Sequence, residues 1–224
     1  MVGARTLVFA TVSALAVTFY APRQEQPLTL DWRDAGNGLF VMHHEVTIGL
    51  WQRCVDDGGC SFSPRPGLGA KDQNFPVTGI GALDAQEFVA WAQKATGQNV
   101  QLPTREQWYE FSDIPQIRSV KRFDDPRLAW AATYGDEATV DPELKTWGGF
   151  GLNSKQIADA KGNVWEWTSS CVVDVDPDRC PAYFVAGEHE AKVPIFVRSP
   201  ASGGCATGTP PTHLGLRLVW QHMK

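Results

Sequence analysis

The fold of this 224-residue chain is indicated first by the segment Gly162-Asn163-Val164-Trp165-Glu166-Trp167-Thr168. Two tryptophans flank a glutamate directly after a Gly-Asn pair. Because side chains alternate along an extended strand, the two indoles would face one side and the carboxylate the other. The Gly-Asn pair supplies the permissive backbone that a tight turn needs. The segment therefore predicts a core strand entered through a turn, with its acid directed away from the indoles.

Further blocks stand at ordered intervals around this segment. They are Phe40-Val41-Met42 with Glu45-Val46-Thr47, then Leu102-Pro103-Thr104 with Gln107-Trp108, and finally Leu214-Gly215-Leu216-Arg217-Leu218. In this order the blocks resemble the sulfatase-modifying-factor family, whose archetype is the formylglycine-generating enzyme. The resemblance covers about residues 38 to 220. It implies a C-type-lectin-like topology with low regular secondary structure, held together by buried tryptophans and bound calcium.

Composition favours one domain and argues against a nucleic-acid partner. The blocks are spread from end to end, so a single domain is predicted over residues 38–224. Nine tryptophans in a chain that is 43% hydrophobic indicate a core of large aromatic side chains. The net charge is −5 with acids and bases interspersed, and no basic stripe is present that could follow a phosphate backbone.

The N-terminus indicates export. Arg5 precedes an uncharged run over residues 6–16 that ends in the A-x-A sequence Ala14-Leu15-Ala16. The run to Ala21 falls short of the about 20 residues that a membrane-spanning helix needs. Residues 1–21 are therefore predicted as a signal peptide and hydrophobic segment, and the protein as periplasmic or secreted; an uncleaved signal anchor is the alternative. Membrane contact is expected only through this segment, and residues 22–37 are predicted as a linker.

The five cysteines agree with an oxidising compartment. Cys54 and Cys60 flank a flexible loop, and Cys171 and Cys180 flank a Val/Asp/Pro segment. Each pair predicts a disulfide that contributes about 2–3 kcal/mol under the loop-entropy model. Cys205 is left unpaired by this arithmetic. A bridge between Cys171 and Cys205, with Cys180 free, is an alternative that the sequence leaves open.

Periodicity and capping signals predict an α+β fold. Residues 41–47 predict a strand, and Thr47 starts a short helix. Apolar residues over 84–95 share one helical face, and Gly97 stands where a left-handed C-cap is usual. Thr104 and Gln107 form a capping box for the next helix. Two early helices followed by a turn-rich region with short, twisted antiparallel strands give the α+β pattern.

The resemblance implies a structural calcium site at Asp159, Gly162, Val164 and Glu166. The family's residues at these positions ligate calcium, two through side chains and two through backbone carbonyls. Calcium takes six to eight oxygen ligands of this mixed kind. The alternative is a solvated Asp159 and a Glu166 in a surface salt bridge.

The copper site of the archetype is not supported by this sequence. Formylglycine-generating enzymes carry C-x-x-x-x-C shortly after an R-G-G-S strand, and soft thiolates select Cu(I). The best match to R-G-G-S is residues 185–188, which puts Ala191 and Phe196 at the two thiolate positions. Cys205 lies further downstream and stands alone. Copper is therefore not expected, and whether the chain is an enzyme is left open.

Other candidate catalytic residues form only fragments of known sites. Glu188 and His189 with Cys205 could form part of a centre, and His213 could lie near Cys205. His43 and His44 are predicted to lie on a strand and to point to opposite faces, which would prevent joint chelation. Arg217 is interpreted as structural.

Two functions from different classes follow. The first is an exported accessory or maturation factor without the copper-binding pair, which binds a periplasmic protein or peptide-derived partner. The alternative is an oxidoreductase of the same family that uses a different cofactor on a peptide or peptide-derived substrate. A lectin-like display domain is a third, less favoured interpretation.

Overall fold

Three helices and two four-stranded sheets make up the part of the chain that the structure, a computed structural model, describes. The described residues are 27–63, 73–115, 144–176, 179–187, 191–195 and 213–222. The predicted signal peptide and the candidates Glu188, His189 and Cys205 lie outside them. The α+β expectation is confirmed, although the short helix after Thr47 makes three early helices rather than two.

The helices are α1 (Ile48–Asp56), α2 (Ala82–Thr96) and α3 (Arg105–Ser112). The strands are β1 (Trp32–Gly36), β2 (Leu39–Met42), β3 (Val100–Gln101), β4 (Trp165–Cys171), β5 (Ala182–Ala186), β6 (Ala191–Pro194), β7 (Leu214–Gly215) and β8 (Val219–Gln221). None of the helices in these residues is long and apolar enough to cross a bilayer.

The helix ends follow the predicted capping chemistry. The Thr47 hydroxyl accepts a hydrogen bond from the Leu50 amide, 3.2 Å away, at the start of α1. At the start of α3, the Thr104 hydroxyl accepts from the Gln107 amide and the Gln107 side chain accepts from the Thr104 amide. Gly97 ends α2 with φ 68°, the left-handed conformation in which glycine is least strained.

The first sheet has the order β1-β2-β8-β3 and is antiparallel throughout. Its edge strand β1 lies inside the stretch 22–37 that was predicted to be a linker, so that prediction is wrong over this part. Leu28 and Leu30, just ahead of β1, are each only 8% exposed and belong to the core. Removing these two apolar side chains from water is favourable, and a solvated linker would leave them exposed.

The second sheet has the order β6-β5-β4-β7 and carries the tryptophan segment on β4. β4 pairs antiparallel with β5 but parallel with β7, with Trp165 opposite Leu214. The expectation of antiparallel strands therefore fails at this one pair. The parallel pairing brings the block around Arg217 against the block around Glu166, although 51 residues separate the two.

Large aromatic side chains fill the core, as the composition predicts. Trp51, Trp108 and Trp167 are among the largest fully buried side chains. The Trp51 ring stacks on that of Phe88 at 5.2 Å, and the Trp167 indole donates to the Ile80 carbonyl oxygen at 2.6 Å. Trp165, which lies on the same strand as Trp167, is only partly buried.

Both predicted disulfides are present. Cys54 is bonded to Cys60, and Cys171 is bonded to Cys180. The second bond resolves the open alternative against a Cys171–Cys205 bridge. Four of the five cysteines are thus engaged with one another.

Candidate functional site

The glutamate of the tryptophan segment is buried in an ion pair. Glu166 and Arg217 are 1% and 0% exposed. The Nη2 atom of Arg217 donates to Oε1 of Glu166 at 2.7 Å, and its Nε atom donates to both carboxylate oxygens at 3.0 and 3.1 Å. The Trp108 indole donates to Oε2 at 2.8 Å. The sequence alternatives of a solvated acid and a surface salt bridge are therefore both wrong for this residue.

The remaining donors of Arg217 bind backbone oxygens of distant segments. Its Nη1 atom donates to the carbonyl oxygens of Met42 and His43, both at 3.2 Å, and Nη2 also donates to that of Ala158 at 2.9 Å. All five guanidinium N–H groups are thereby used. These contacts agree with the structural interpretation of Arg217.

A second buried glutamate, Glu45, lies near this pair, and its carboxyl group has no hydrogen-bond partner among the described residues. Glu45 is 1% exposed, and neither carboxylate oxygen has a partner in the described part of the chain. Burial raises the pKa of Glu45 well above its ordinary value; Arg217 opposes this shift, and Glu166 and Asp159 add to it. Arg217 has no N–H left to donate. Burial and the neighbouring acids thus favour the protonated form of the Glu45 carboxyl group.

Asp159 holds a loop, residues 144–151, that we call the Trp147 loop. Its Oδ1 accepts from the Phe150 amide at 2.7 Å and its Oδ2 accepts from the Gly148 amide. Asp159 is buried and has φ 59°, a conformation that few non-glycine residues adopt.

The Gly-Asn pair that precedes the tryptophans also serves the Trp147 loop. The Asn163 side chain accepts from the Lys145 amide and donates to the Lys145 carbonyl oxygen, at 3.0 and 3.2 Å. At Gly162 a Cβ atom would lie 2.5 Å from the Phe150 ring, so only glycine fits. Asn163, with φ 69°, supplies the turn. The turn prediction is confirmed, and the glycine is required for the close approach of a ring.

The predicted calcium ligands lie in one segment, but their side chains have different partners. Each carboxylate oxygen has two lone pairs. Both lone pairs of each Glu166 oxygen are used by Arg217 and Trp108, whereas each Asp159 oxygen keeps one. The Asp159 carboxylate therefore fits a cation site, and the Glu166 carboxylate does not fit one in this arrangement. The calcium site as a whole stays a prediction.

A cluster of three rings lies at the surface next to this network. The rings of His43 and His44, which we call the histidine pair, are 5.9 Å apart between centroids. The Trp147 ring lies 5.7 Å from His43 and stacks on His44 at 5.2 Å with an interplanar angle of 18°. The prediction that the two imidazoles point to opposite faces is wrong. β2 ends at Met42, so the alternation of a strand does not extend to these residues.

Backbone carbonyls determine the tautomer of both histidines. The Nδ1 atom of His43 lies 2.8 Å from the Gln156 carbonyl oxygen, and that of His44 lies 2.7 Å from the Glu45 carbonyl oxygen. Because a carbonyl only accepts, each Nδ1 carries the hydrogen. Burial lowers the pKa of His44, which favours the neutral ring with a lone pair on Nε2.

The other candidates from the sequence are distributed as follows. Ala191, at the first expected thiolate position, begins β6, whereas Phe196 at the second lies outside the described residues. His213 is half-buried against Trp165, 5.4 Å between ring centroids, and burial lowers its pKa. Within the described ranges, no three His, Cys, Asp or Glu side chains are grouped so that they could hold a metal ion.

Sequence reasoning did not identify the neutral Glu45 or the ring cluster. Glu45 lies within a recognised block, but its isolation depends on Arg217, which is 172 positions away, having no free donor. Trp147 is followed by two glycines, a turn signal that indicates an exposed ring. That signal does not reveal which residues the ring touches.

Comparisons with known proteins agree with this architecture. A sequence profile described as "Sulfatase-modifying factor enzyme 1-like domain" matches residues 21–222. A comparison with curated protein sequences finds no similar protein.

Three solved structures share the fold at low identity. Treponema denticola variable protein 1 is 14% identical, with a TM-score of 0.53 over 82% of this chain and 84% of that one. PvdO from Pseudomonas aeruginosa is 14% identical, with a TM-score of 0.55 over 82% and 80%. CarF is 15% identical, with a TM-score of 0.50 over 83% and 87%. At such identities the likeness concerns the fold alone.

Proposed function

This chain belongs to the family of sulfatase-modifying factor enzyme 1-like domains, and we propose that it is a member without the copper-binding cysteine pair. In this proposal it acts outside the cytoplasm as an accessory or maturation factor that binds a periplasmic protein or a peptide-derived partner.

The cysteine arrangement is the observation that carries this proposal. A Cu(I) centre of the formylglycine-generating type needs two thiolates, because soft ligands select this ion. Four of the five cysteines are bonded in pairs, so Cys205 is the one thiol left to the whole chain. A single thiol cannot provide the pair.

Partner binding is supported by the exposed apolar side chains on and beside the Trp147 loop. Trp147, Phe150 and Leu152 are 44%, 37% and 52% exposed, and they lie within six consecutive positions. Exposed aromatic side chains that are held rigid are typical of protein interaction sites. Asp159 and Asn163 hold the backbone of this loop in place.

Export is supported by the same disulfides and by the apolar N-terminal run. Disulfides persist in oxidising compartments such as the bacterial periplasm. A purely structural role for calcium at Asp159 remains part of the proposal, with the backbone carbonyls of Gly162 and Val164 as its other oxygens.

The test compares two exposed apolar residues on different parts of the surface. Trp147→Ala removes the centre of the proposed binding surface, and Leu83→Ala removes a side chain of similar exposure (45%) at the start of α2. Partners captured by cross-linking in the native compartment should be lost with Trp147→Ala and retained with Leu83→Ala, at a temperature at which thermal unfolding curves show both variants to be fully folded. Equal capture by both variants contradicts the role of this surface.

A second assay addresses the copper question directly. The purified chain, loaded with Cu(I) and given oxygen and a cysteine-containing peptide, should form no formylglycine. Formation of the aldehyde, detected by mass spectrometry, would overturn the proposal.

The alternative oxidoreductase remains a hypothesis. Its suggested centre joins Glu188, His189 and Cys205, all outside the described residues. Anaerobic metal analysis separates the two functions, because stoichiometric iron or copper with oxygen uptake favours the oxidoreductase and calcium alone favours the accessory factor.

A further inference from the structure

The histidine pair has the features of an imidazole metal site. In metal-binding histidines one ring nitrogen binds the ion, while the other donates its hydrogen to a carbonyl or carboxylate that fixes the ring. His43 and His44 both make this second contact, through Nδ1, to the carbonyl oxygens of Gln156 and Glu45. With the hydrogen on Nδ1, the lone pair that each imidazole can offer to a metal ion is on Nε2.

Neither Nε2 atom has a hydrogen-bond partner among the described residues, and neither is fully enclosed. The two lone pairs are thus available to an external ligand. This differs from Glu166 and Arg217, whose hydrogen-bonding capacity is used inside the protein.

The separation of the rings fits one shared ion. At a metal–nitrogen distance of about 2.0–2.1 Å, the centroid of a bound imidazole lies about 3.2 Å from the ion. If the two metal–nitrogen bonds make an angle of about 90–180° at the ion, the two ring centroids lie about 4.5–6.4 Å apart. The observed separation is 5.9 Å. The observed separation of the ring centroids thus lies within the range that one shared ion requires.

The surroundings hold the pair in place. The His43 carbonyl oxygen accepts from the Ala158 amide at 2.7 Å and from Arg217 at 3.2 Å, which ties this backbone to the buried ion pair. His44 is stacked on Trp147. Because these contacts already hold the rings in place, less conformational entropy is lost when an ion binds.

We propose that His43 and His44 bind a divalent first-row transition cation through their Nε2 atoms, as a site with two protein ligands. Imidazole ligands suit zinc, copper and nickel, and among the divalent ions copper binds most strongly. Asp31, a carboxylate close to both histidines, is engaged with Arg33. The remaining coordination positions are open to water or to a donor atom of a bound molecule.

The inference is independent of the proposed partner binding. If the chain takes up no transition metal, it can still bind a partner through the Trp147 loop. If it binds no partner, the histidine pair can still bind a metal ion.

Cu²⁺ is the probe for the test, with three variants of the full metal-stripped chain. His44→Phe keeps a ring on Trp147 but removes the nitrogen, and His43→Gln removes the other ligand. His222→Gln is the matched control, because His222 also lies beside a tryptophan, 5.6 Å from Trp220 between ring centroids. The Tm of each metal-free variant reports whether it folds.

The wild-type chain should bind one Cu²⁺ whose electron paramagnetic resonance spectrum shows coupling to two imidazole nitrogens. His44→Phe and His43→Gln should each weaken copper binding by about tenfold or more. Removing a residue that only hydrogen-bonds to a metal ligand already costs about 10–100-fold in affinity, and removing the ligand itself should cost at least as much. The His222→Gln control should match the wild type. If His43→Gln fails to fold, the comparison of His44→Phe with the control decides.

Two results would overturn the proposal. One is the absence of copper uptake by the folded wild-type chain in equilibrium dialysis. The other is uptake of equal affinity in the wild type, His44→Phe and the control, which would identify a copper site elsewhere, such as the chain terminus.

Discussion

Glu166 and Glu45 are buried to the same extent, yet the fold gives their carboxyl groups different hydrogen-bond partners. The Glu166 carboxylate receives four hydrogen bonds from Arg217 and Trp108. The Glu45 carboxyl group receives none from the described residues, and burial raises its pKa. Burial alone therefore does not determine whether an acid is charged. The decisive factor is the number of donors that the fold brings to it.

The largest effect is expected from removing the charge that compensates Glu166. Arg217→Met should lower the free energy of unfolding by about 3–5 kcal/mol, because it leaves the buried Glu166 carboxylate with the Trp108 hydrogen bond but without its opposite charge. Urea denaturation measures the loss. The double variant Arg217→Met with Glu166→Leu should recover part of it. A single variant as stable as wild type would show that Glu166 is not ionised.

A smaller loss is expected where Asp159 holds the Trp147 loop. Asp159→Ala leaves the amides of Gly148 and Phe150 without their acceptor, at about 0.5–1.5 kcal/mol for each, because both residues lie at the surface and water can replace the lost partner. Asp159→Asn, which keeps one acceptor oxygen, should lose about half as much. Thermal unfolding compares the two variants, and equal stability of Asp159→Ala and wild type would contradict the bracing role.

Calcium addition to the same proteins tests the predicted metal site. If calcium binds, it raises the Tm of the wild type over that in EGTA, because it binds only the folded state, and it leaves Asp159→Ala unchanged. No shift in the wild type at millimolar calcium would contradict the calcium prediction. That result would leave Arg217 as the cation that neutralises this region.

The neutral state of Glu45 predicts a particular pH dependence. Since its folded pKa is raised, the native state keeps a proton that the unfolded chain releases as pH rises above the ordinary glutamate pKa. Wild-type stability then falls with pH, by up to about 1.4 kcal/mol per pH unit, until the folded pKa is reached, and is flat above it. Glu45→Gln removes this slope.

Chemical denaturation of the metal-free chain across this pH range measures the difference between wild type and Glu45→Gln. The glutamine variant should gain stability relative to wild type as pH rises. Parallel curves for the two proteins would mean that Glu45 is ionised in the folded state.

The smallest effect concerns the ring cluster. Trp147→Ala should lower the free energy of unfolding by about 0.5–1.5 kcal/mol, the usual contribution of a stacked aromatic pair, because the ring is already half exposed. Trp147→Phe should retain most of this. A loss comparable with that of Arg217→Met would mean that the cluster belongs to the core.

Features that depend on neighbouring residues were predictable from the sequence. The caps at Thr47 and Thr104 join residues three positions apart, and the disulfides close loops of 6 and 9 positions. The candidate site was predictable only in part. Asp159 and Glu166 were recognised as a pair of acids, but their different partners were not.

The sequence by itself determined the family of the fold, the helix ends and the pairing of four cysteines. The helix ends and the cysteine pairs depend on residues a few positions apart, and the family is indicated by the order of the sequence blocks. Only the tertiary structure decided that Glu166 pairs with Arg217, that the Glu45 carboxyl group has no donor among the described residues and that two histidines share a face. Arg217 reaches Glu166 across 51 positions and Met42 across 175. No local pattern specifies how its five donors are divided among such distant acceptors.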